Sequence, residues 1–121
     1  ALVACDKGQL VQVLVNVLHN AAQAIKSQAR EHLGAIRVEV FNEAAFTVCR
    51  ISDDGPGIRP EHLRRVFDPF FTTKDVGSGT GLGLSIAYGI VKKYGGEMQV
   101  ASEWGAGASF TIKLPAVPQA G

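Results

Sequence analysis

The sequence has few cysteines, no excess of either charge and no long apolar run. Its two cysteines, Cys5 and Cys49, form neither a CxxC pair nor any spacing typical of metal ligands, which argues against a zinc module or a disulfide-stabilised fold. The formal net charge of +1 gives no electrostatic basis for binding nucleic acid or an anionic membrane. No apolar run approaches the ~20 residues that cross a bilayer, and we expect no signal peptide.

Length and composition predict one folded domain over residues 1–121. A chain of 121 residues, of which 46% are hydrophobic, can bury a core without disulfides or metals. Because the chain begins at Ala1 rather than at a methionine, we expect it to be a fragment of a longer protein.

Hydrophobic periodicity predicts an α+β, two-layer sandwich. Helical spacing of apolar residues runs from Lys7 to about Ala29, behind a loose capping box formed by Asp6 and Gln9. The other predicted elements are strands 36–41 and 46–53 with a turn near Asn42-Glu43, a short helix 60–66, a loop 67–80, a helix 81–94, and strands 97–101 and 109–114. The last strand alternates apolar and polar residues, which indicates one buried face. We therefore expect a mixed, mostly antiparallel sheet with one face covered by three helices.

One face of the first predicted helix carries amides instead of charges. At about 100° per residue, a narrow stripe contains Gln9, Gln12, Asn16, Asn20, Gln23 and Ser27. A solvated helix face usually carries lysine and glutamate, so this stripe suits a polar ligand, although a plain polar surface would explain it as well. Asn16 and Asn20 lie one turn apart, and an amide oxygen can coordinate a hard cation such as Mg²⁺.

The segment Asp53-Asp54-Gly55-Pro56-Gly57-Ile58 directly follows a predicted strand. Asp53 shares a face of that strand with Cys49 and Ile51, so its carboxylate should point toward the helix layer. There it could accept a hydrogen bond from an exocyclic amine such as that of adenine, and Gly55 and Gly57 allow close approach of the main chain. A plain turn would use the same residue types.

Two later segments have features of a phosphate site. Phe67 to Lys74 combines three phenylalanines with a lysine that suits a phosphate. Gly77 to Ser85 contains four glycines that run into the start of a helix, where free main-chain N–H groups can bind an anion. A solvated loop lysine and a glycine-rich linker are the alternatives for these two segments.

In this order, the four segments resemble the catalytic domain of histidine kinases, in the superfamily that includes gyrase, Hsp90 and MutL. Asn16 to Ala21 is similar to the N box, Asp53 to Ile58 to the first glycine box, Phe67 to Lys74 to the F box, and Gly79 to Leu84 to the second glycine box. The resemblance covers nearly the whole chain, is closest to the nitrogen-regulation type, and implies the Bergerat-type ATP-binding fold. Asn16 stands where the hydrolase branches carry a glutamate base, which favours a kinase.

The resemblance implies a role for each matching residue. Asn20 would hold Mg²⁺ at the ATP phosphates, and together with Asn16 and Lys74 it forms the expected catalytic set. Asp53 would accept from adenine, and residues 67–80 would form the ATP lid. The expected nucleotide-binding residues are Asn20, Ala24, Asp53, Gly55, Gly57, Ile58, Lys74, Gly79, Thr80, Gly81, Leu82, Gly83 and Leu84. Gln23 and Ala24 replace the lysine and aromatic residue that many members carry, which leaves more of the phosphate contact to Lys74.

The resemblance also implies the activity and its partners. The domain would bind Mg·ATP and donate the γ-phosphate to a histidine on a helical dimerisation domain of the same protein, which would signal to the receiver domain of a response regulator. His19, His32 and His62 lack the phosphoacceptor context, so the isolated domain should have little or no kinase activity.

For the parent kinase we expect a homodimer whose catalytic domain is cytoplasmic, whether the whole protein is soluble or membrane-anchored. We expect no nucleic acid partner. Two alternatives stay open. One is a serine kinase that doubles as an anti-sigma module, and the other is a scaffold domain that binds no nucleotide.

Overall fold

A computed structural model describes residues 3–26, 34–69 and 83–117. The elements are α1 (Lys7–Lys26), β1 (Ile36–Glu43), β2 (Phe46–Asp53), a 3-10 helix (Pro60–His62), α2 (Gly83–Lys93), β3 (Glu97–Ser102) and β4 (Ala108–Pro115). The strands form one sheet in the order β1-β2-β4-β3, and each neighbouring pair is antiparallel. The predicted α+β, two-layer architecture is therefore confirmed.

Both α-helices pack on one face of the sheet. α1 lies against β2 and α2, and α2 lies against β3 and β4. The buried cluster between the layers joins apolar residues of both helices to those of β2, β3 and β4. In β4 the side chains of Phe110, Ile112 and Leu114 are buried while their neighbours are partly exposed, so the alternation predicted from the sequence is confirmed.

α1 begins as predicted, behind Asp6. The Asp6 carboxylate accepts from the Gln9 main-chain N–H at 2.9 Å, which satisfies one of the unpaired donors of the first turn. The side chain of Gln9 does not complete the capping box, because its Oε1 accepts from the hydroxyl of Tyr94 at the end of α2. The predicted extension of α1 to Ala29 lies outside the described residues, as does Ser27.

The prediction of three covering helices is wrong for the described chain, which has two α-helices. The segment expected as a helix over 60–66 is a 3-10 helix of three residues followed by turns. Its main chain forms i to i−3 hydrogen bonds, from Arg65 to His62 and from Asp68 to Arg65. Pro60 supplies no N–H, and a single short turn cannot offset the cost of nucleating an α-helix.

Two details of the sheet also differ from the prediction. The described strands are all antiparallel rather than mixed. The hairpin turn lies at Ala44-Ala45, because Asn42 and Glu43 still pair with Thr47 and Phe46, and Ala44 takes a positive φ of 53°. Glu43 is held in the strand by Lys113, whose Nζ lies 3.2 Å from its carboxylate. Among the described helices, none is long and apolar enough to cross a membrane.

Two glycines of the α2 region allow a direct test of this packing. A Cβ on Gly96 would overlap the carbonyl oxygen of Lys113 in β4, whereas a Cβ on Gly89, within α2, has no neighbour within 4 Å. Gly96→Ala should lower the free energy of unfolding by about 1–3 kcal/mol. Gly89→Ala should raise it by up to about 1 kcal/mol, because alanine is the better helix former. Urea unfolding of both variants checks the pair, and equal effects would contradict the packing described.

Candidate functional site

The candidate site lies where β2 ends beneath α1. Asp53 is the last residue of β2 and pairs with Ile36 on one side and Ala108 on the other. Its side chain is 8% exposed, on the same face as buried Ile51, so the predicted orientation toward the helix layer is confirmed. Asp53 is the only buried charged residue among those the structure describes.

Burial raises the pKa of the Asp53 carboxyl above its usual range, since removal from water disfavours the charged form. The main-chain N–H groups of Gly55 and Ala108 donate to the carboxylate and oppose this rise, and the negative charge of Asp54 adds to it. The Gly55 N–H lies 2.9 Å from Oδ1. The site therefore holds a carboxylate that its surroundings stabilise only in part.

The loop after Asp53 is packed so closely that glycines are required. A Cβ on Gly55 would lie 3.3 Å from the carbonyl carbon of Ala24 and 2.9 Å from the Asp53 carboxylate. Gly57 has a positive φ of 80°, which non-glycine residues rarely adopt. The loop thus brings Asp53 and Gly55 next to Ala24 of α1 and Gly57 against the turn between β3 and β4, and these are four of the residues predicted to bind the nucleotide. A fifth, Ile58, packs against the core.

The two asparagines of α1 have different surroundings. The Asn16 amide nitrogen donates to the carbonyl oxygen of Gly83, the first residue of α2, at 3.0 Å. Its Oδ1 accepts from Gln12 Nε2 at 2.7 Å, so both ends of the Asn16 amide are engaged within the protein. Asn20, one turn further along, forms no side-chain hydrogen bond with any residue that the structure describes and is half-buried. It is therefore the asparagine whose oxygen faces no competing protein donor in this part of the chain.

Other described members of the predicted amide stripe contact neighbours on α1 or residues of α2 and the turn that follows it. His19 and Gln23 are 3.3 Å apart between their side-chain nitrogens, and both lie one turn from the asparagines. The stripe is thus largely a hydrogen-bonded seam along α1, and it reaches α2 through Gln9 and Asn16.

Phe67, the first residue of the predicted F box, is fixed on the body of the domain. Its ring stacks on Tyr88 of α2 at 5.0 Å between centroids and meets Phe110 of β4 edge-on at 6.2 Å. These two ring contacts anchor the start of the segment on the helix and sheet layers.

Part of the predicted phosphate site is described and part is not. Gly83 and Leu84 form the first turn of α2, where Leu84 packs against the core. The remaining predicted phosphate contacts lie outside the described residues: Lys74, Gly79, Thr80, Gly81 and Leu82. So does most of the predicted lid. The roles assigned to these residues stay predictions.

Sequence reasoning missed the turn between β3 and β4 as part of this site. Ser102, at the end of β3, accepts from the Ile58 N–H at 2.7 Å and donates to the Gly107 carbonyl at 2.8 Å. A Cβ on Gly107 would overlap the Asp53 carbonyl oxygen. The signal that could have revealed this turn is the glycine pair at 105 and 107, both of which have positive φ.

The described residues include no cluster of three or more His, Cys, Asp and Glu side chains that could hold a metal by themselves. Asn20 offers one hard amide oxygen, which matches the way Mg²⁺ is bound at nucleotides, through few protein ligands and several phosphate oxygens. The donor set therefore fits a cation that arrives with a nucleotide.

Asp53→Asn tests the burial of the carboxylate. A carboxyl with a raised pKa binds its proton more tightly in the folded state, so the stability of the parent should fall as pH rises from the ordinary value of 3.8 through the raised pKa. The amide cannot ionise, so the variant should gain stability relative to the parent over that range. Urea unfolding between pH 4 and pH 7 measures the difference. Asp68→Asn, at an exposed position, is the control. If the stability difference between Asp53→Asn and the parent does not grow with pH, the Asp53 carboxyl does not have a raised pKa.

The sequence and fold match known proteins over nearly the whole chain. The family model described as "Histidine kinase-, DNA gyrase B-, and HSP90-like ATPase" matches residues 5–118. The sensor histidine kinase ZraS of Escherichia coli is 42% identical over 110 residues, which are 91% of this chain and 22% of ZraS. The sensor kinase CckA of Brucella abortus is 41% identical over 123 residues, covering 93% of this chain and 13% of CckA. The chain thus spans less than a quarter of either relative.

Solved structures give the same result. The mycobacterial sensor histidine kinase MprB superposes with a TM-score of 0.82 at 30% identity, covering 97% of this chain and 78% of that chain. Full-length ShkA in complex with AMPPNP superposes with a TM-score of 0.80 at 29% identity, covering 98% of this chain and 24% of that chain. The match of the family model to 114 of 121 residues, together with these relatives, confirms the resemblance drawn from the four sequence segments. This chain belongs to the family of histidine kinase-, DNA gyrase B- and HSP90-like ATPases.

Proposed function

We propose that this chain is the catalytic module of a sensor histidine kinase, which binds Mg·ATP and donates the γ-phosphate to a histidine on another domain. The observation that carries the proposal is the buried Asp53 carboxylate. It lies between Gly55 and Ala108, beneath Ala24 of α1. A buried acceptor of this kind, on the helix-facing side of the sheet, suits the exocyclic amine of adenine.

The base would lie against the loop Gly55 to Ile58. The Asp53 carboxylate already accepts from two main-chain N–H groups, and a third donor from the ligand would complete its hydrogen bonding. The main chain at Gly57 packs against the turn between β3 and β4, and Ile58 supplies apolar contact from the core side. The complex of the related ShkA protein with AMPPNP, an ATP analogue, agrees with a nucleotide in this family's site.

The phosphates would lie between Asn20 and the start of α2. The first turn of a helix offers main-chain N–H groups that are not used within the helix, and it attracts negative charge. Gly83 and Leu84 form that turn, and Asn16 holds it against α1. Mg²⁺, held by Asn20 and the phosphates, would neutralise charge that builds up during phosphoryl transfer.

In the transfer itself, a histidine nitrogen of the partner domain attacks the γ-phosphorus, and the bond between that phosphorus and the bridging oxygen breaks to release ADP. The chain's own residues bind and orient the nucleotide, so that its γ-phosphate is presented to the partner. The helical dimerisation domain of the same protein is the proposed acceptor, and a response regulator receiver domain is the proposed next carrier. This assignment places the domain on the cytoplasmic side, where ATP is available.

Nucleotide titration tests the base pocket. Asp53→Asn should weaken ADP binding at least tenfold, about 1.4 kcal/mol. The Gly55 N–H should keep its hydrogen bond to the oxygen of the new side-chain amide. The NH₂ group of that amide would then face the amine of adenine, and two donors cannot form a hydrogen bond. Isothermal titration of Mg·ADP gives the dissociation constants for parent and variant.

Asp54→Asn is the matched control for this substitution. It removes a carboxylate from the next residue, which is exposed and accepts from the Ala35 N–H instead of pointing toward the helix layer. Its affinity for ADP should equal that of the parent. If the parent binds no ADP at millimolar concentration, the chain acts as a scaffold domain and the proposal fails.

Asn20→Ala tests the metal assignment. The parent should bind ADP more tightly with Mg²⁺ than without it, and the variant should lose most of that difference while keeping its metal-free affinity. Asn42→Ala, an exposed asparagine on β1, should behave like the parent in both titrations. An unchanged Mg²⁺ effect in Asn20→Ala would exclude Asn20 as the protein ligand.

A further inference from the structure

We infer that Ser102 is a positioning residue for the base pocket, acting through the main chain of Gly57 and Ile58. The inference rests on the proposed function, because it assigns a role to the turn that supports the proposed adenine loop. Ser102 belongs to none of the four sequence segments, but it pairs with Ala108, which pairs with Asp53, so all three lie on the same face of the sheet. Ser102 ends β3, on the strand that neighbours β4.

The Ser102 hydroxyl connects the two loops that meet at this end of the sheet. It accepts from the Ile58 N–H at 2.7 Å, and its own proton goes to the Gly107 carbonyl at 2.8 Å. Both of its hydrogen bonds are half-buried, and water cannot replace them without entering the space between the loops. One hydroxyl thus fixes the distance between the main chains of Ile58 and Gly107. The next residue, Ala108, donates its N–H to the Asp53 carboxylate.

The surrounding contacts leave the loop little freedom to move. A Cβ on Gly57 would lie 2.5 Å from the Glu103 carbonyl oxygen and 2.9 Å from Ser102 Oγ, so the main chain of Gly57 lies directly against the β3–β4 turn. The Gly105 N–H donates to the Pro56 carbonyl at 2.6 Å. At the surface, the Arg59 guanidinium lies 4.4 Å from the centre of the Trp104 ring.

Through these contacts, the turn between β3 and β4 determines the position of the proposed base-binding loop. Asp53 is fixed by the strand, but the distance between its carboxylate and the main chain of Gly57 and Ile58 is set by what holds those two residues. Ser102 is the one side chain that holds the Ile58 N–H. Without it, the donor is left without a partner, and the loop can relieve that cost only by shifting toward water.

Comparison of Ser102→Ala, Ser102→Thr and the parent tests the inference. Adenosine, which carries no phosphate, is the probe for the base pocket, titrated by NMR, and ADP is titrated with and without Mg²⁺. Ser102→Ala should weaken adenosine and ADP by the same factor, about tenfold. The ratio of ADP affinities with and without Mg²⁺ should not change. Ser102→Thr keeps the hydroxyl and should restore both affinities and the chemical shift of the Ile58 amide proton.

Ser109→Ala is the matched control. Ser109 is likewise half-buried, and its hydroxyl forms a hydrogen bond with that of Ser52 at 2.8 Å, but on the sheet face opposite Asp53. Its variant should bind adenosine like the parent. If Ser102→Ala binds adenosine as the parent does, or if threonine fails to rescue, the positioning role is refuted while the proposed function stands. If the parent binds neither adenosine nor ADP, the proposed function fails and the inference fails with it.

A thermal melt of each variant shows whether loss of binding is loss of fold. If Ser102→Ala does not fold, Trp104→Ala decides the question, since Trp104 is half-exposed and its removal loosens the same turn. Trp104→Ala should weaken adenosine about threefold, a size that fits the loss of one cation–π contact. No change in this folded variant would then overturn the inference.

Discussion

The buried carboxylate of Asp53 is the constraint on which the site depends. Taking it out of water is costly, so the chain must supply donors close to it. The Gly55 N–H provides one because the chain turns sharply after β2, and the Ala108 N–H provides another because β4 lies beside β2. The glycines at 55 and 107 are a consequence, because a side chain at either position would meet Asp53 itself.

The helix layer completes the site from above, and it depends on the same sheet. α1 is held on the sheet by its apolar face, where Val13, Val17 and Ala21 are buried. Another side of α1 carries the amides, and one of them, Asn16, donates a hydrogen bond to Gly83 at the start of α2. One helix thus contacts both ends of the proposed site, the base end through Ala24 and the phosphate end through the bond of Asn16 to Gly83. A rotation of α1 would disturb both ends together.

Much of this arrangement could be predicted from local sequence, because it follows from periodicity. The alternation in β4, the cap at Asp6 and the inward direction of Asp53 each follow from a few adjacent residues. The hairpin turn could not be placed this way, because Ala44-Ala45 carries no turn residue whereas Asn42-Glu43 does. Its position is set by pairing across three strands, including the contact of Glu43 with Lys113. Ser102 and the Asn16–Gly83 contact also escaped prediction, because they join residues 44 and 67 positions apart.

The raised pKa of Asp53 suggests why the site is built with an incomplete set of donors. Above that pKa the charged carboxylate lowers the stability of the free domain. A fold selected for stability alone would place an apolar residue at this position, next to Ile51 and Ala108. If Asp53 binds adenine as proposed, the adenine amine would supply a donor that the protein leaves out, and nucleotide binding would lower the pKa of Asp53 and recover part of the lost stability. The proposed function would thus couple stability to nucleotide recognition through one carboxylate, and it would account for a buried charge at the edge of an otherwise apolar core.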